Sequence, residues 1–274
     1  MSIGKDLRLR RIMDPKTSST LMFAMSHGTS TPTVPEGIED ARKNLLEVRE
    51  GGADCIFVTP GLLQTLSPLV AESRDLGIVA KITATASRGE AKHQERLIAS
   101  VEHCAGLGVD GVVALVPLAP ENEPDLIGLA AQIGEQCRRF GIPFIAEAEF
   151  PNAYYGDGDY VSDPAWGLTY LCRSARLCVE LGADVVKTNW PGSGEQFHQI
   201  VDSVPVPVVV AGGTRESDLS LLKRIAEARD AGAAGASVGR NIFQHRDRTA
   251  VTHALVAVVR RELSPEDAVQ KYLG

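Results

Sequence analysis

The chain has 274 residues, of which 44% are hydrophobic, 23% charged and 5% aromatic, and its formal net charge is −7. The apolar fraction is large enough to fill a core, which excludes an intrinsically disordered chain. An acidic balance without a basic stripe argues against nucleic-acid binding, and no apolar run approaches the roughly 20 residues that cross a bilayer. We therefore expect neither nucleic acid nor a membrane as a partner.

The N-terminus is charged and lacks the apolar segment of a secretory signal. The five cysteines are scattered and form no CxxC pair, and the six histidines form no metal-binding motif. Cysteines in such a pattern are typical of small buried side chains in a reducing compartment. The sequence therefore predicts a cytoplasmic protein without a metal site.

Eight short apolar runs recur along the chain, and each is too short for a helix and rich in Val, Ile or Ala. They cover 20–25, 54–58, 77–83, 110–116, 143–149, 184–188, 206–212 and 234–239. Most are continuously apolar, which is typical of parallel strands that are covered on both faces. These runs are the predicted strands.

Segments with apolar residues at three- and four-residue steps separate the strands and predict helices, for example at 39–52, 94–108 and 221–233. A weak repeat of the type Leu-Gly-Ala-Asp closes helices and opens strands, because glycine suits the left-handed helix cap. We expect one (βα)8 TIM barrel over 1–274, with 1–18 as an N-terminal extension that covers the barrel bottom or an edge. An open doubly wound sheet is the alternative, but no GxGxxG follows an early strand.

Lys187 is the strongest functional signal, because it follows Val185 and Val186 in an otherwise apolar strand. Such a lysine points either into the barrel mouth or outward against the helices. A lysine held in a mouth of low dielectric loses its proton more easily, and the free amine attacks carbonyl groups. A structural lysine with its ammonium group at the surface is the other interpretation.

Glu147 and Glu149 lie two residues apart and therefore share one face of a strand. One of them could act as a general acid or base, or pair with Lys187 or Lys81. The alternative is a buried ion-pair network that only orders the barrel. Lys81 is equally ambiguous, because it could contact a phosphate or carboxylate or serve a glutamate as a structural partner.

Glycines after the seventh and eighth predicted strands indicate a phosphate site, where backbone N–H groups and a short helix N-terminus face an anion in this fold. The residues are Gly212, Gly213, Gly239 and Arg240, with the arginine adding charge-assisted hydrogen bonds. Simple turns would also explain the glycines.

Ser26 and His27 end the first predicted strand, and His27 is either catalytic or a hydrogen-bonding residue of the mouth. Tyr154 and Tyr155 follow the fifth strand and either close over the site or pack within their loop. The nearby acidic stretch GDGDY lacks the register of a calcium loop.

Four segments resemble the archaeal-type class I aldolase family: FAMSHG, GADVVKTNWPG, VPVPVVVAGGT and GAAGASVGRNIFQH. That family includes archaeal fructose-bisphosphate aldolase, 2-amino-3,7-dideoxy-D-threo-hept-6-ulosonate synthase and the autoinducer-2 thiolase, and the resemblance runs from about residue 8 to 272. It implies a TIM barrel without metal or other cofactor, a Schiff base at Lys187, and phosphate loops at Gly212, Gly213, Gly239 and Arg240.

Two departures from the family pattern affect the substrate. The family usually has Asp-His-Gly after the first strand, and this chain has Ser26-His27-Gly28. The family tyrosine that serves as acid or base, within a Tyr-Pro pair, is replaced by Glu149 in an ungapped comparison, or by Phe150 after a one-residue shift. Phenylalanine cannot transfer a proton, which favours Glu149.

The resemblance therefore implies a lyase that joins or cleaves a phosphorylated ketone, expected to be dihydroxyacetone phosphate, and an aldehyde. The subgroup that makes 2-amino-4,5-dihydroxy-6-oxo-7-(phosphonooxy)heptanoate suggests L-aspartate 4-semialdehyde as the aldehyde, on the way to aminohydroxybenzoate. A sugar-bisphosphate aldolase, a thiolase and a non-catalytic phosphate-ligand binder are the alternatives. The family also implies a cyclic homo-oligomer, with a decamer as one possibility.

Overall fold

The structure, a computed structural model, describes residues 2–31, 33–73, 75–86, 94–119, 122–151 and 166–274. Eight parallel strands close into a barrel in the order β1-β10-β9-β8-β7-β6-β3-β2. The barrel strands are β1 (Thr20–Ala24), β2 (Cys55–Val58), β3 (Gly77–Lys81), β6 (Gly111–Leu115), β7 (Phe144–Ala148), β8 (Val185–Thr188), β9 (Val208–Ala211) and β10 (Gly235–Val238). The closed barrel confirms the predicted TIM-barrel class and excludes the open sheet.

Helices surround the barrel and follow its strands. They are α1 (Ile3–Ile12), α2 (Ala41–Glu50), α3 (Pro60–Thr65), α4 (Ser67–Glu72), α5 (Val101–Gly106), α6 (Glu123–Phe140), α7 (Gly167–Glu180), α8 (Gly194–Asp202), α9 (Asp218–Asp230), α10 (Arg240–Phe243), α11 (Arg248–Val259) and α12 (Pro265–Tyr272). None of the helices in the described ranges is long and apolar enough to span a membrane.

The period of two along each strand separates two apolar cores. Side chains that point inward form a core inside the barrel, which includes Val79, Ile145 and Val185. Their neighbours point outward and pack against the helices, as Val186 does. Lys187, two residues after the inward Val185, therefore faces the barrel interior.

Helix α1 covers the amino-terminal end of the barrel. Ile12 is fully buried in the inner core, and Lys5 forms an ion pair of 2.7 Å with Asp184, directly before β8. Arg11 reaches Asp110, directly before β6. The extension thus lies at the end of the barrel opposite to the strand carboxyl ends.

The predicted helix over 94–108 is wrong in its first part. Residues of β5 (Arg96–Leu97) pair antiparallel with β4 (Thr83–Ala84), so the chain after β3 forms a small two-stranded sheet. Helix α5 begins only at Val101, because the Ser100 side chain accepts a hydrogen bond from the His103 amide and caps the helix. The sequence pattern placed the start of this helix at residue 94, before its observed start at Val101.

The cysteines of the described chain are free; four of them are buried, and Cys172 is half-buried. Burial raises the pKa of the Cys178 thiol to about 12, so this side chain stays protonated and behaves as an apolar group.

Candidate active site

Three predicted residues meet inside the barrel at the carboxyl ends of neighbouring strands. The β7–β8 register places Glu147 beside Lys187, and Lys187 Nζ lies 2.7 Å from Glu147 Oε1. The same nitrogen lies 2.9 Å from Glu149 Oε1. Lys187 is 4% exposed, so this group of charges is largely shielded from water. The structure thus places Lys187 in the barrel mouth rather than against the helices.

Lys81 approaches the same cluster from β3. Its Nζ donates to Glu147 Oε2, and the lysine is 2% exposed. Glu147 therefore lies between two ammonium groups. Burial acts to raise the pKa of Glu147, but the charges of Lys187 and Lys81 outweigh burial and hold it well below its usual range. Glu147 is an ionised, fixed counter-charge.

The segment after β7 is held by hydrogen bonds that fix the direction of Glu149. Tyr170 Oη donates to the Glu149 carbonyl at 3.1 Å, and Asn189 Oδ1 accepts from the Phe150 amide at 2.7 Å. The Phe150 ring stacks on Tyr170 with 5.5 Å between ring centroids. Because Glu149 faces Lys187 and Phe150 packs into the outer core, Glu149 is the residue of this pair that lies in the site.

His27 begins a short 3-10 turn, His27–Thr29, at the end of β1. Its ring packs edge-on against Phe243 with 5.0 Å between centroids. Burial and the positive charges of Lys187 and Arg240 lower the pKa of His27 to about 3. The imidazole is therefore neutral at neutral pH and lies between the lysine and the predicted phosphate loops.

Ser26 lies just before this turn and is half-buried. Its carbonyl accepts from the Thr29 hydroxyl at 2.8 Å, which holds the turn closed. The aspartate that the family pattern leads one to expect is thus replaced by a shorter, neutral side chain beside His27.

The loops after β9 and β10 approach each other at the mouth. The Gly212 amide donates to the Ser237 carbonyl at 2.8 Å, so it is used inside the barrel and cannot bind an anion. Among the described residues, no backbone carbonyl accepts a hydrogen bond from the amide of Gly213 or of Gly239. Gly213 is therefore the first glycine of these loops whose amide has no backbone partner among the described residues, and its φ of +69° favours glycine.

Gly239 is required by a close approach. A Cβ at this position would lie 2.4 Å from His27 Cε1 and 2.9 Å from the Ala24 carbonyl oxygen. Asn241 braces the neighbouring loop, because its Nδ2 donates to the carbonyls of Gly212 and Thr214. Arg240 follows Gly239 at the start of α10, half-buried and near enough to His27 to affect its charge.

The sequence comparison decides the family. Residues 11–245 match the family described as DeoC/LacD family aldolase. The chain belongs to this family of aldolases. It is therefore an enzyme of the lyase class, as the sequence analysis predicted.

Two curated relatives cover nearly the whole chain. The 2-amino-3,7-dideoxy-D-threo-hept-6-ulosonate synthase of Halobacterium salinarum is 33% identical over 98% of this chain and 96% of its own. The 3-hydroxy-5-phosphonooxypentane-2,4-dione thiolase of Yersinia enterocolitica is 32% identical over 98% of this chain and 87% of its own. Both belong to the group that the sequence analysis named.

Solved structures share the fold. An archaeal fructose-1,6-bisphosphate aldolase, with its catalytic lysine bound to the carbinolamine intermediate, superposes with a TM-score of 0.80 at 21% identity, covering 93% of this chain and 99% of that one. The fructose-bisphosphate aldolase of Slackia heliotrinireducens gives a TM-score of 0.83 at 19% identity, covering 100% and 92% of the two chains. These similarities describe the architecture of this aldolase.

Two further sequence predictions concern the tyrosines after the fifth predicted strand and a metal site. Tyr154 and Tyr155 lie outside the described residues. Among the residues that the structure describes, no group of three or more His, Cys, Asp or Glu side chains could hold a metal ion.

Sequence reasoning missed one buried acid beside the cluster. Glu95, directly before β5, is 1% exposed and close enough to Lys81 for their charges to interact. The sequence assigned it to a helix that does not form there. The β-branched residues at 82–85 and the Ser100 cap are the signals that could have indicated the extended segment.

Proposed function

We propose that this aldolase forms a Schiff base between Lys187 and a phosphorylated ketone, of which dihydroxyacetone phosphate is the simplest. The observation that carries the proposal is the position of Lys187 Nζ, buried inside the barrel mouth within 3 Å of two carboxylates. A buried amine at the carboxyl end of a barrel strand suits attack on a carbonyl carbon. The compound for which the Yersinia thiolase is named, 3-hydroxy-5-phosphonooxypentane-2,4-dione, carries both a ketone and a phosphate, which supports a phosphorylated ketone here.

In the first step, Lys187 passes its ammonium proton to the ketone oxygen, directly or through water, and its nitrogen bonds to the carbonyl carbon. The protonated oxygen then leaves as water, which produces an iminium ion. The ion withdraws electrons from the adjacent carbon and makes its proton acidic. Removal of that proton gives an enamine, which forms the new carbon–carbon bond by attacking the aldehyde carbon. Water then releases the product and restores the lysine. The reverse sequence cleaves the bond.

Glu149 is our choice for the proton transfer. Glu147 is shared by two lysines and held ionised, so it is a weak base and a lasting counter-charge. Glu149 has one of these lysines as its neighbour, at 2.9 Å. A carboxylate beside the Schiff-base nitrogen is placed to accept the proton of the adjacent carbon, directly or through water. Lys81 keeps Glu147 in position.

The phosphate of the ketone would bind between the loops after β9 and β10. The amides of Gly213 and Gly239 and the guanidinium group of Arg240 supply the donors, and Gly212 contributes its carbonyl to the bracing by Asn241. His27, neutral and between Arg240 and Lys187, would donate to or accept from a hydroxyl or carbonyl oxygen of the ketone. Ser26 leaves room beside it. Phosphate binding then holds the carbonyl in line with Lys187.

The acceptor that we propose is L-aspartate 4-semialdehyde, which would place the enzyme in aminohydroxybenzoate biosynthesis. The replacement of the expected aspartate by Ser26 favours a substrate other than a sugar bisphosphate. A thiolase reaction is the second candidate, favoured by the 32% identity to the Yersinia thiolase.

The test is reductive trapping. Borohydride added with dihydroxyacetone phosphate should give a stable adduct at Lys187, located by mass spectrometry of peptides. Absence of an adduct in the folded enzyme would refute the Schiff base and leave a non-catalytic phosphate-ligand binder.

Once an adduct is found, an acceptor panel distinguishes the substrates. Turnover should be fastest with L-aspartate 4-semialdehyde. Turnover confined to glyceraldehyde 3-phosphate would indicate a sugar aldolase instead, and acyl transfer to a thiol without aldol products would indicate the thiolase.

A further inference from the structure

Glu95 is a buried acid that the mechanism above does not use. It lies directly before β5, in the small sheet that follows β3, and is 1% exposed. Neither carboxyl oxygen makes a hydrogen bond within the described part of the chain. The Thr83 hydroxyl is close enough to affect the acid but forms no bond of normal geometry with it. A buried carboxyl without a donor is costly and uncommon.

Two other buried acids of the barrel have their donors. Asp184 accepts two hydrogen bonds from Lys5 Nζ and one from the Phe144 amide. Glu147 accepts from two lysines. Among the described residues, buried carboxyl oxygens without a hydrogen bond belong to Glu95 and to Glu149, whose Oε1 only lies near Lys187 Nζ, at 2.9 Å. The lack of donors is therefore confined to the mouth and is not a general property of this fold.

The small sheet anchors Glu95 over the barrel mouth. The Ile98 amide donates to the Ile82 carbonyl at 2.9 Å, and the Leu115 amide donates to the Thr83 hydroxyl at 3.1 Å. These bonds hold the sheet on β3 and β6. The charges that act on Glu95 come from Lys81 on β3 and Glu147 on β7, which are members of the catalytic cluster.

The strand order places Glu95 across the mouth from the phosphate loop. In the closed ring, β3 lies four strands from β9, which is the diametrically opposite position. The loop after β9 carries Gly213, and Lys187 on β8 lies beside it. A ketone with its phosphate at that loop and its carbonyl at Lys187 therefore leaves the opposite side, with Glu95, for the second substrate.

We propose that Glu95 binds the acceptor aldehyde by receiving a hydrogen-bond donor of that molecule, either a hydroxyl or an ammonium group. This inference rests on the proposed aldol function, since that function defines the acceptor. The substrate donor would supply the hydrogen bond that the described residues do not.

The acid is poised to respond to pH. Burial raises the pKa of Glu95 to about 7, while the positive charge of Lys81 and the Thr83 hydroxyl act to lower it and the negative charge of Glu147 acts to raise it. Glu95 therefore gains its negative charge as the pH rises through 7. An acceptor with an ammonium group should bind better above that pH than below it.

The test compares Glu95→Gln with the control Glu102→Gln, an exposed glutamate on α5. The variables are the KM of each substrate, with L-aspartate 4-semialdehyde as the ammonium-bearing acceptor and glyceraldehyde 3-phosphate as the hydroxyl-bearing one. If the acceptor binds through its ammonium group, Glu95→Gln should raise the KM of the ammonium acceptor at least about tenfold, because the amide carries no charge. If it binds through a hydroxyl group, the KM of the hydroxyl acceptor should rise only about threefold, because an amide oxygen still accepts a hydrogen bond. The KM of dihydroxyacetone phosphate should stay within about twofold.

Equal KM values for the acceptor in wild type and Glu95→Gln would overturn the inference. A parallel rise for both substrates would do so as well, because it would indicate a structural role. The wild-type enzyme supplies a measurement that needs no variant: kcat/KM for the ammonium acceptor should rise through pH 7, and a flat profile there contradicts a carboxylate that binds the ammonium group.

Trapping and binding separate this inference from the proposed function. Borohydride trapping at Lys187 with dihydroxyacetone phosphate does not involve the acceptor and should be unchanged in Glu95→Gln. If wild type gives no adduct, the aldol function fails, and calorimetry with each acceptor alone decides the role of Glu95. Weaker binding in Glu95→Gln than in wild type then supports it, and equal or undetectable binding in both overturns it.

Discussion

The two ends of the barrel each contain a buried lysine–carboxylate cluster, and the clusters differ in how completely their hydrogen bonds are satisfied. At the amino-terminal end, Lys5 and Asp184 are joined by two hydrogen bonds, and the Phe144 amide adds a third donor to the aspartate. At the carboxyl end, Lys187 faces two glutamates, and no residue that the structure describes donates a hydrogen bond to the nearby Glu95. The first cluster joins the N-terminal helix to the barrel, whereas we propose that the second keeps hydrogen-bonding groups available for a substrate.

The difference teaches that burial of charge does not by itself indicate function. A buried ion pair with complete hydrogen bonding is stable only as a whole, since removal of one partner leaves an uncompensated charge. A buried cluster with unsatisfied groups costs stability and persists at sites where a ligand completes it. Substitutions at the two ends should therefore separate stability from activity.

The largest effect is expected for Lys187→Arg. Arginine keeps a positive charge beside Glu147 and Glu149 but cannot form a Schiff base, so aldol turnover should fall by about 10⁴-fold or more. Borohydride should leave no adduct, and circular dichroism should show a folded chain. The control Lys223→Met, at an exposed lysine on α9, should keep full activity. An active Lys187→Arg enzyme would move the chemistry to another residue.

Lys5→Met should have the opposite profile. It leaves Asp184 buried without its main counter-charge, which should lower the free energy of unfolding by about 3 kcal/mol. Activity per folded molecule at room temperature should stay near wild type, because Lys5 lies at the end of the barrel opposite to Lys187. Denaturant unfolding measures the loss. The exposed Lys16→Met is the control, and a variant as stable as wild type would show that the lower cluster is dispensable.

Glu149→Gln should reduce turnover by about 10²-fold, because the amide cannot take the proton from the substrate carbon. The Lys187 adduct should still form, since attack of the amine does not require that transfer. Exchange of the donor-carbon proton with deuterated solvent, followed by NMR, should slow by a similar factor. Unchanged exchange would assign the acid–base role to another group.

The smallest effect is expected for Gly239→Ala. The added Cβ would overlap His27 and the Ala24 carbonyl, so the loop after β10 must shift. We expect the KM of the phosphorylated ketone to rise about tenfold, equivalent to about 1.4 kcal/mol of lost binding. Gly128→Ala on α6 is the matched control, because its Cβ has open space, and it should leave KM unchanged. An unchanged KM in Gly239→Ala would remove this loop from the phosphate site.

Local patterns account for what could be predicted. The continuous apolar runs indicated strands covered on both faces, and the number of runs, eight, indicated a barrel. The period of two connects Lys187 to Val185 inside the barrel once the strand is fixed. The resemblance assigned the family, which the match over residues 11–245 confirms.

Other features depend on contacts between distant segments. The sequence left open whether Lys81 paired with a glutamate, and only the closed barrel brings β3 near enough to β7 for it to reach Glu147. The loss of the Gly212 amide to Ser237 likewise depends on the β9–β10 pairing. Glu95 was read as part of a helix, because its local apolar pattern fits one, although pairing with β4 overrides that preference.

The sequence by itself thus determined the strands, the barrel class and the candidate lysine, since these follow from short-range periodicity and a motif of adjacent residues. Tertiary structure decided that Glu147 pairs with two lysines, that Glu149 lies beside Lys187, and that Glu95 receives no hydrogen bond from the described part of the chain. Those differences arise from distances across the barrel mouth, where burial removes water and makes each missing or added hydrogen bond count.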